Sequence, residues 1–83
     1  MADLSFDLYP NPTSGQFFVR LPANSPAQFR LMTVQGTTVA AGGFPAGRMH
    51  SLAAPQVSAG LYLLEVLQDG RMGMQKVLIQ STR

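Results

Sequence analysis

Apolar and polar side chains alternate with a period of two along nearly the whole chain. Gly, Pro, Asn or Asp interrupts the alternation roughly every eight to twelve residues. Successive side chains of a strand point to opposite faces, so the pattern predicts a series of short strands, each with one buried face. Leu4, Phe6 and Leu8 alternate with Ser5, Asp7 and Tyr9 in a first strand that Pro10 ends. Residues 16–21 place Phe17, Val19 and Leu21 on one face and Phe18 and Arg20 on the other, and residues 22–26, bounded by two prolines, read as a loop. In residues 27–34, Ala27, Phe29 and Leu31 alternate with Gln28 and Arg30, and Gln35-Gly36 turns the chain into a partner strand over residues 37–41. Gly42-Gly43-Phe44-Pro45-Ala46-Gly47 is expected to be a flexible excursion outside any strand, because glycine weakens a strand and proline cannot donate to its ladder. Residues 48–52 are expected to form a short edge strand, and residues 53–59 an irregular segment fixed by Pro55.

The final hairpin carries the clearest signal. Residues 61–68 and 71–80 flank Asp69-Gly70, a dipeptide that favours the two-residue type I′ turn. That turn sets Leu67 opposite Met72, Glu65 opposite Met74, Leu63 opposite Lys76 and Tyr62 opposite Val77, and makes Glu65 and Lys76 diagonal neighbours. A cross-strand charge pair contributes about 0.2–1 kcal/mol, so this one would favour the register more than the stability. Both faces of residues 61–67 are largely apolar, as suits a central strand or a strand whose outer face meets a partner. About seven strands and no helical segment make the expected fold all-β, a seven-stranded immunoglobulin-like β-sandwich. In such a fold Tyr62 would suit a tyrosine corner, a role that depends on chain geometry.

Composition narrows the function. The chain has 83 residues, which is one small domain, and 46% of them are hydrophobic. With no tryptophan, the core is mostly aliphatic; with no cysteine, disulfides and thiolate chemistry are excluded. The net charge is +2, and Arg20, Arg30, Arg48, Arg71, Lys76 and Arg83 are scattered rather than clustered, which argues against a nucleic-acid partner. His50 is the only histidine, and Ser51 beside it makes no triad by adjacency, since nucleophile, base and carboxylate must converge in space. His50 is expected on the surface or on an edge strand. The acids Asp3, Asp7, Glu65 and Asp69 are too few and too dispersed for a metal shell. No catalytic residue, metal or cofactor is therefore expected. No apolar run is long enough to span a membrane, and Met1-Ala2-Asp3 has neither the basic nor the apolar region of a signal peptide. The expectation is the tail of a longer protein whose export signal lies at its other end.

Tyr9-Pro10-Asn11-Pro12-Thr13-Ser14-Gly15 remains to be explained. The prolines are expected to hold the backbone extended, and Thr13-Ser14-Gly15 to reverse it with Gly15 at positive φ. This Pro-Asn-Pro-Thr-x-Gly turn is followed by Gly36, by Gly60-Leu61-Tyr62 and by Lys76-Val77-Leu78-Ile79. In order and spacing, over about residues 4–80, these elements resemble the C-terminal sorting domain of the type IX secretion system of Bacteroidetes-type bacteria. Many members of that family place an aspartate two or three residues before the turn glycine, where this chain has Thr33-Val34-Gln35.

The resemblance implies that residues 1–83 are a single sorting domain with its core over about residues 4–80. It implies a signal that directs an N-terminal passenger from the periplasm through an outer-membrane translocon to the cell surface or the medium. A sortase-like cysteine protease would usually then remove the domain. Pro10, Asn11, Pro12, Thr13, Gly15 and Gly36 would be the family's turn residues; Gly60, Tyr62, Lys76, Val77 and Ile79 would serve recognition by translocon or sortase. Turn-making alone accounts for Pro10, Asn11, Pro12 and Gly15, and a core or corner role accounts for Tyr62. Lys76, a single charge within an apolar strand, is poorly explained by packing; it is either a contact with the translocon or one part of a signal read as a whole folded surface, in which no single side chain is essential. The rival functions are an adhesive or carbohydrate-binding sandwich, against which the missing tryptophan weighs, and a structural spacer.

Overall fold

The computed structural model describes residues 3–54 and 57–80, in which the predicted alternation resolves into seven strands and no helix. These are β1 (Asp7–Tyr9), β2 (Gln16–Arg20), β3 (Ala27–Thr33), β4 (Thr38–Phe44), β5 (Met49–Ala53), β6 (Gly60–Gln68) and β7 (Arg71–Ile79). They form a three-stranded sheet in the order β1-β2-β5 and a four-stranded sheet in the order β4-β3-β6-β7, with every neighbouring pair antiparallel. Apolar side chains from both sheets meet between them. Phe17 and Val19 of β2, Leu31 of β3, Leu64 and Val66 of β6 and Val77 of β7 are completely buried there.

The alternation assigned the faces of β2 correctly: Phe17, Val19 and Leu21 are buried, while Phe18 and Arg20 face solvent. In β3 a register shift between Leu31 and Met32 interrupts the alternation, and both side chains are buried. The last hairpin has the predicted register throughout, from Leu67 opposite Met72 to Tyr62 opposite Val77. Its turn has φ of 54° at Asp69 and 74° at Gly70, the two positive values that a type I′ turn requires.

Three expectations are corrected. Gly42, Gly43 and Phe44 belong to β4 and pair with Phe29, Gln28 and Ala27. β4 is an edge strand bonded on one side only, and the bare Cα of Gly42 leaves room for the Phe29 ring, so glycine serves packing here. Residues 10–12 form bends rather than an extended run, and both the Tyr9-Pro10 and Asn11-Pro12 peptides are cis. Glu65 is diagonal to Lys76 as expected, but its carboxylate pairs with Arg30, 3.1 Å away and directly opposite in β3. β5 is the expected edge strand, whereas Pro55 lies outside the described residues.

Opposite flanks of the sandwich close differently. On one, the rings of Phe29, Phe44 and His50 stack in series, with centroids 4.8 Å and then 4.4 Å apart. His50 is thus half-buried on edge strand β5, its Nε2 2.8 Å from the Gly47 carbonyl oxygen. On the other flank, the chain on either side of β1 crosses to the free edge of β7.

Candidate recognition surface

β7 ends the larger sheet, and an edge strand presents a row of unpaired N–H and C=O groups. The Pro-Asn-Pro turn covers that row. The Asn11 side-chain amide donates from Nδ2 to the Lys76 carbonyl oxygen at 2.8 Å, and its Oδ1 accepts the Leu78 N–H at 3.0 Å. A carboxamide carries the same donor and acceptor as a peptide unit, so one side chain stands in for a neighbouring strand. Two residues on, the Thr13 N–H donates to the Leu78 carbonyl oxygen at 2.9 Å and the Gln80 N–H donates to the Thr13 carbonyl oxygen at 2.8 Å.

Thr13 is fixed from within its own turn. It is buried, and its hydroxyl donates to the Gln16 carbonyl oxygen at 2.6 Å while accepting the Gly15 N–H at 3.1 Å. Gly15 has the expected positive φ, 128°, and its carbonyl oxygen accepts the Ala54 N–H at 2.6 Å. That bond ties the turn to the end of β5.

From the other side, β6 presents the Gly-x-Tyr pair to the same stretch of β7, with Gly60 opposite Ile79 and Tyr62 opposite Val77. The Tyr62 ring is buried and its hydroxyl donates to the Ser58 carbonyl oxygen four residues upstream at 2.6 Å, which is corner geometry. Gly36 is two strands away, at the same end of the sheet. Its N–H donates to the Thr33 carbonyl oxygen at 2.9 Å, and the Thr33 hydroxyl accepts the Thr37 N–H at 3.1 Å. Thr33 thereby closes this turn with both its carbonyl and its hydroxyl oxygen.

The structure thus brings Asn11, Thr13, Gly60 and Tyr62 together around residues 76–79, and leaves Gly36 apart. Val77 and Ile79 point into the core, whereas Lys76 is exposed on the outer face of the sheet. Around it on the outer face of β6 and β7 lie Leu61, Leu67, Met72, Met74 and Leu78, all exposed. The Arg30–Glu65 ion pair adjoins this region across β3 and β6, and a second pair, Arg20–Asp7 at 2.5 Å, lies on the exposed face of the smaller sheet. The hydrogen bond from Arg20 to Asp7, and then the Asp7 charge, hold the Arg20 guanidinium above its ordinary pKa.

Sequence reasoning passed over Gly73, which is buried within β7. Leu4 crosses directly above it, where any Cβ would run into the Leu4 carbonyl. A glycine inside a strand that reads as regular was the available signal. The Asp7–Arg20 pair was also missed, since no standard hairpin turn sets the register of β1 on β2. Among the described residues no cluster of acidic or histidine side chains could hold a metal, and no helix is long and apolar enough to cross a membrane.

Comparison with known proteins gives the arrangement its context. The BSP domain of a biofilm associated protein aligns over 90% of this chain at a TM-score of 0.62 and 11% identity. A β-glucuronidase from Ruminococcus gnavus aligns over 98% at a TM-score of 0.51 and 20% identity. The chain spans 14% and 15% of the length of those proteins, and at such identity the likeness shows the fold alone. No curated protein sequence matches the chain. The model of the secretion system C-terminal sorting domain matches residues 7–80, and the chain belongs to this family of carboxyl-terminal signals for type IX secretion.

Proposed function

We propose that the type IX machinery reads this sorting domain on its folded surface, at the patch where the Pro-Asn-Pro turn meets β7. The observation that carries the reading is the bonding of Asn11 to Lys76 and Leu78, which joins motifs 65 residues apart into one surface. Lys76 is the exposed charge of that patch and is the contact proposed for the translocon. Tyr62, Val77 and Ile79 are buried, so they act by holding the strand in place. Gly60, Pro10, Pro12, Gly15 and Gly36 likewise shape the backbone that presents it.

The rest of the reading follows from the family. Residues 1–83 act as one sorting domain of immunoglobulin-like sandwich form, with a core over about residues 4–80, and without catalytic activity of their own. The passenger lies on the amino-terminal side and passes through the periplasm. A sortase-like cysteine protease removes the domain as the passenger reaches the surface or the medium.

The test is a reporter targeted to the periplasm and fused to this chain, in a host with an active type IX system and in a translocon-deficient control. Export only in the active host supports the sorting reading; equal retention in both, with the domain folded, returns the question to an adhesive or spacer role. Lys76→Ala is expected to lower export while leaving the fold intact. Full export of that folded variant would remove Lys76 from the contact.

A further inference from the structure

Of the five Phe and two Tyr in the chain, only Tyr9 and Phe18 are exposed, by 42% and 40%, and they are neighbours. Tyr9 of β1 pairs with Phe18 of β2 on the outer face of the smaller sheet, their ring centroids 5.8 Å apart and their planes tilted by 34°. The Tyr9 hydroxyl donates to Met49 Sδ at 3.4 Å, and Met49 belongs to β5 on the far side of β2. Two strand spacings come to about 10 Å, so to meet Met49 the Tyr9 side chain leans across β2 and turns a ring face to solvent. The next pair on the same face is Asp7 with Arg20, joined as an ion pair, and Ser51 lies opposite Phe18 on β5. The chain has no tryptophan, and two smaller rings build an aromatic platform in its place.

We propose that this face binds a neutral saccharide, with Tyr9 and Phe18 as the platform and Asp7, Arg20 and Ser51 as a polar rim. A pyranose ring has a flat face of C–H groups that packs on an aromatic face, and hydroxyls around its edge that each donate and accept. The rim matches those hydroxyls, since Arg20 donates, Asp7 accepts and Ser51 does both. An apolar surface bordered by a few polar side chains is the usual make-up of a small-ligand site. The Asp7 and Arg20 charges offset one another, so the rim favours neither an anion nor a cation. Arg48 stands beyond that pair, on the side away from the rings. A peptide strand is the poorer occupant, because β2 is bonded on both sides and its ladders with β1 and β5 occupy the backbone groups beneath the rings. The saccharide site lies on the opposite sheet from Lys76 and does not depend on the sorting function.

A printed array of neutral glycans, acidic glycans and proline-rich peptides, probed with the labelled 83-residue chain, tests the site. Neutral glycans are expected to retain the wild type, and Tyr9→Ala and Phe18→Ala each to weaken that binding at least about tenfold. Met74→Ala, on the larger sheet, should bind as the wild type does. A folded wild type that no glycan retains overturns the proposal, as does binding to acidic glycans alone, binding to the peptides in place of glycans, or binding that a folded Phe18→Ala leaves intact. Where neither ring variant folds, the wild type titrated with the retained glycan and followed by nuclear magnetic resonance decides. Shifts centred on Tyr9, Phe18, Arg20 and Met49 support the site, and shifts centred on the larger sheet overturn it.

Discussion

Leu4 crosses β7 at Gly73, its N–H donating to the Met72 carbonyl oxygen at 3.1 Å and its carbonyl carbon 3.0 Å from the site of a Gly73 Cβ. The approach lays the start of the chain along the edge of the larger sheet before β1 enters the smaller one. A side chain at position 73 has nowhere to go but into that backbone.

Gly73→Ala is therefore expected to cost about 1–3 kcal/mol, the range for forcing an extra methyl into a packed site. Gly43→Ala is the control, since in β4 the nearest atom to an added Cβ is at an ordinary 3.6 Å. Urea unfolding of both compares the two sites directly, and equal midpoints would show that Leu4 yields freely.

Tyr62 reaches the Ser58 carbonyl oxygen with its hydroxyl while its ring fills the core. Tyr62→Phe keeps the ring and removes one hydrogen bond, whose net worth is about 0.5–1.5 kcal/mol. Thermal unfolding should fall by that amount and Tyr62→Ala by several times more, because alanine also leaves a cavity. If phenylalanine were as damaging as alanine, the corner bond rather than the ring would dominate.

These positions mark how far the sequence could be read. The faces of β1 and β2, the register of the last hairpin and the positive φ of Gly15 follow from local rules of alternation and turn chemistry. The family match adds the motifs but not their contacts. What joins Asn11 to Lys76 is the passage of the chain from one sheet to the edge of the other, and no local rule prescribes it. Gly42 and Gly73 show the same limit: read alone, a glycine signals freedom or a break, and only the tertiary neighbour, Phe29 or Leu4, reveals why a side chain is missing. Glu65 had two possible cationic partners, diagonal on β7 or directly opposite on β3, and the pairing of β3 with β6 favoured the second.

The choice of Arg30 by Glu65 can be measured. A double-mutant cycle with Arg30→Ala and Glu65→Ala is expected to give a coupling of about 1 kcal/mol, the upper end for pairs near the surface, because the Glu65 side chain is only 19% exposed. Coupling should weaken as salt is raised. The parallel cycle with Lys76→Ala should give a coupling within error of zero. A larger coupling there than with Arg30 would restore the diagonal pair expected from the hairpin alone.

Gly42 offers the sharpest test of why β4 tolerates glycine. An added Cβ would lie 3.1 Å from two atoms of the Phe29 ring, tighter than ordinary contact. The ring cannot simply swing aside, because it stacks on Phe44, which stacks in turn on His50. Gly42→Val raises strand propensity and, on an open edge, would be expected to stabilise. Here it should instead lower stability by about 1–3 kcal/mol through overpacking against the stack. Shortening the ring with Phe29→Leu should then recover part of the loss, so that the double variant is more stable than the sum of the two single effects. Strict additivity in urea unfolding would mean that the two side chains never meet, and that Gly42 is present for some reason other than the Phe29 ring.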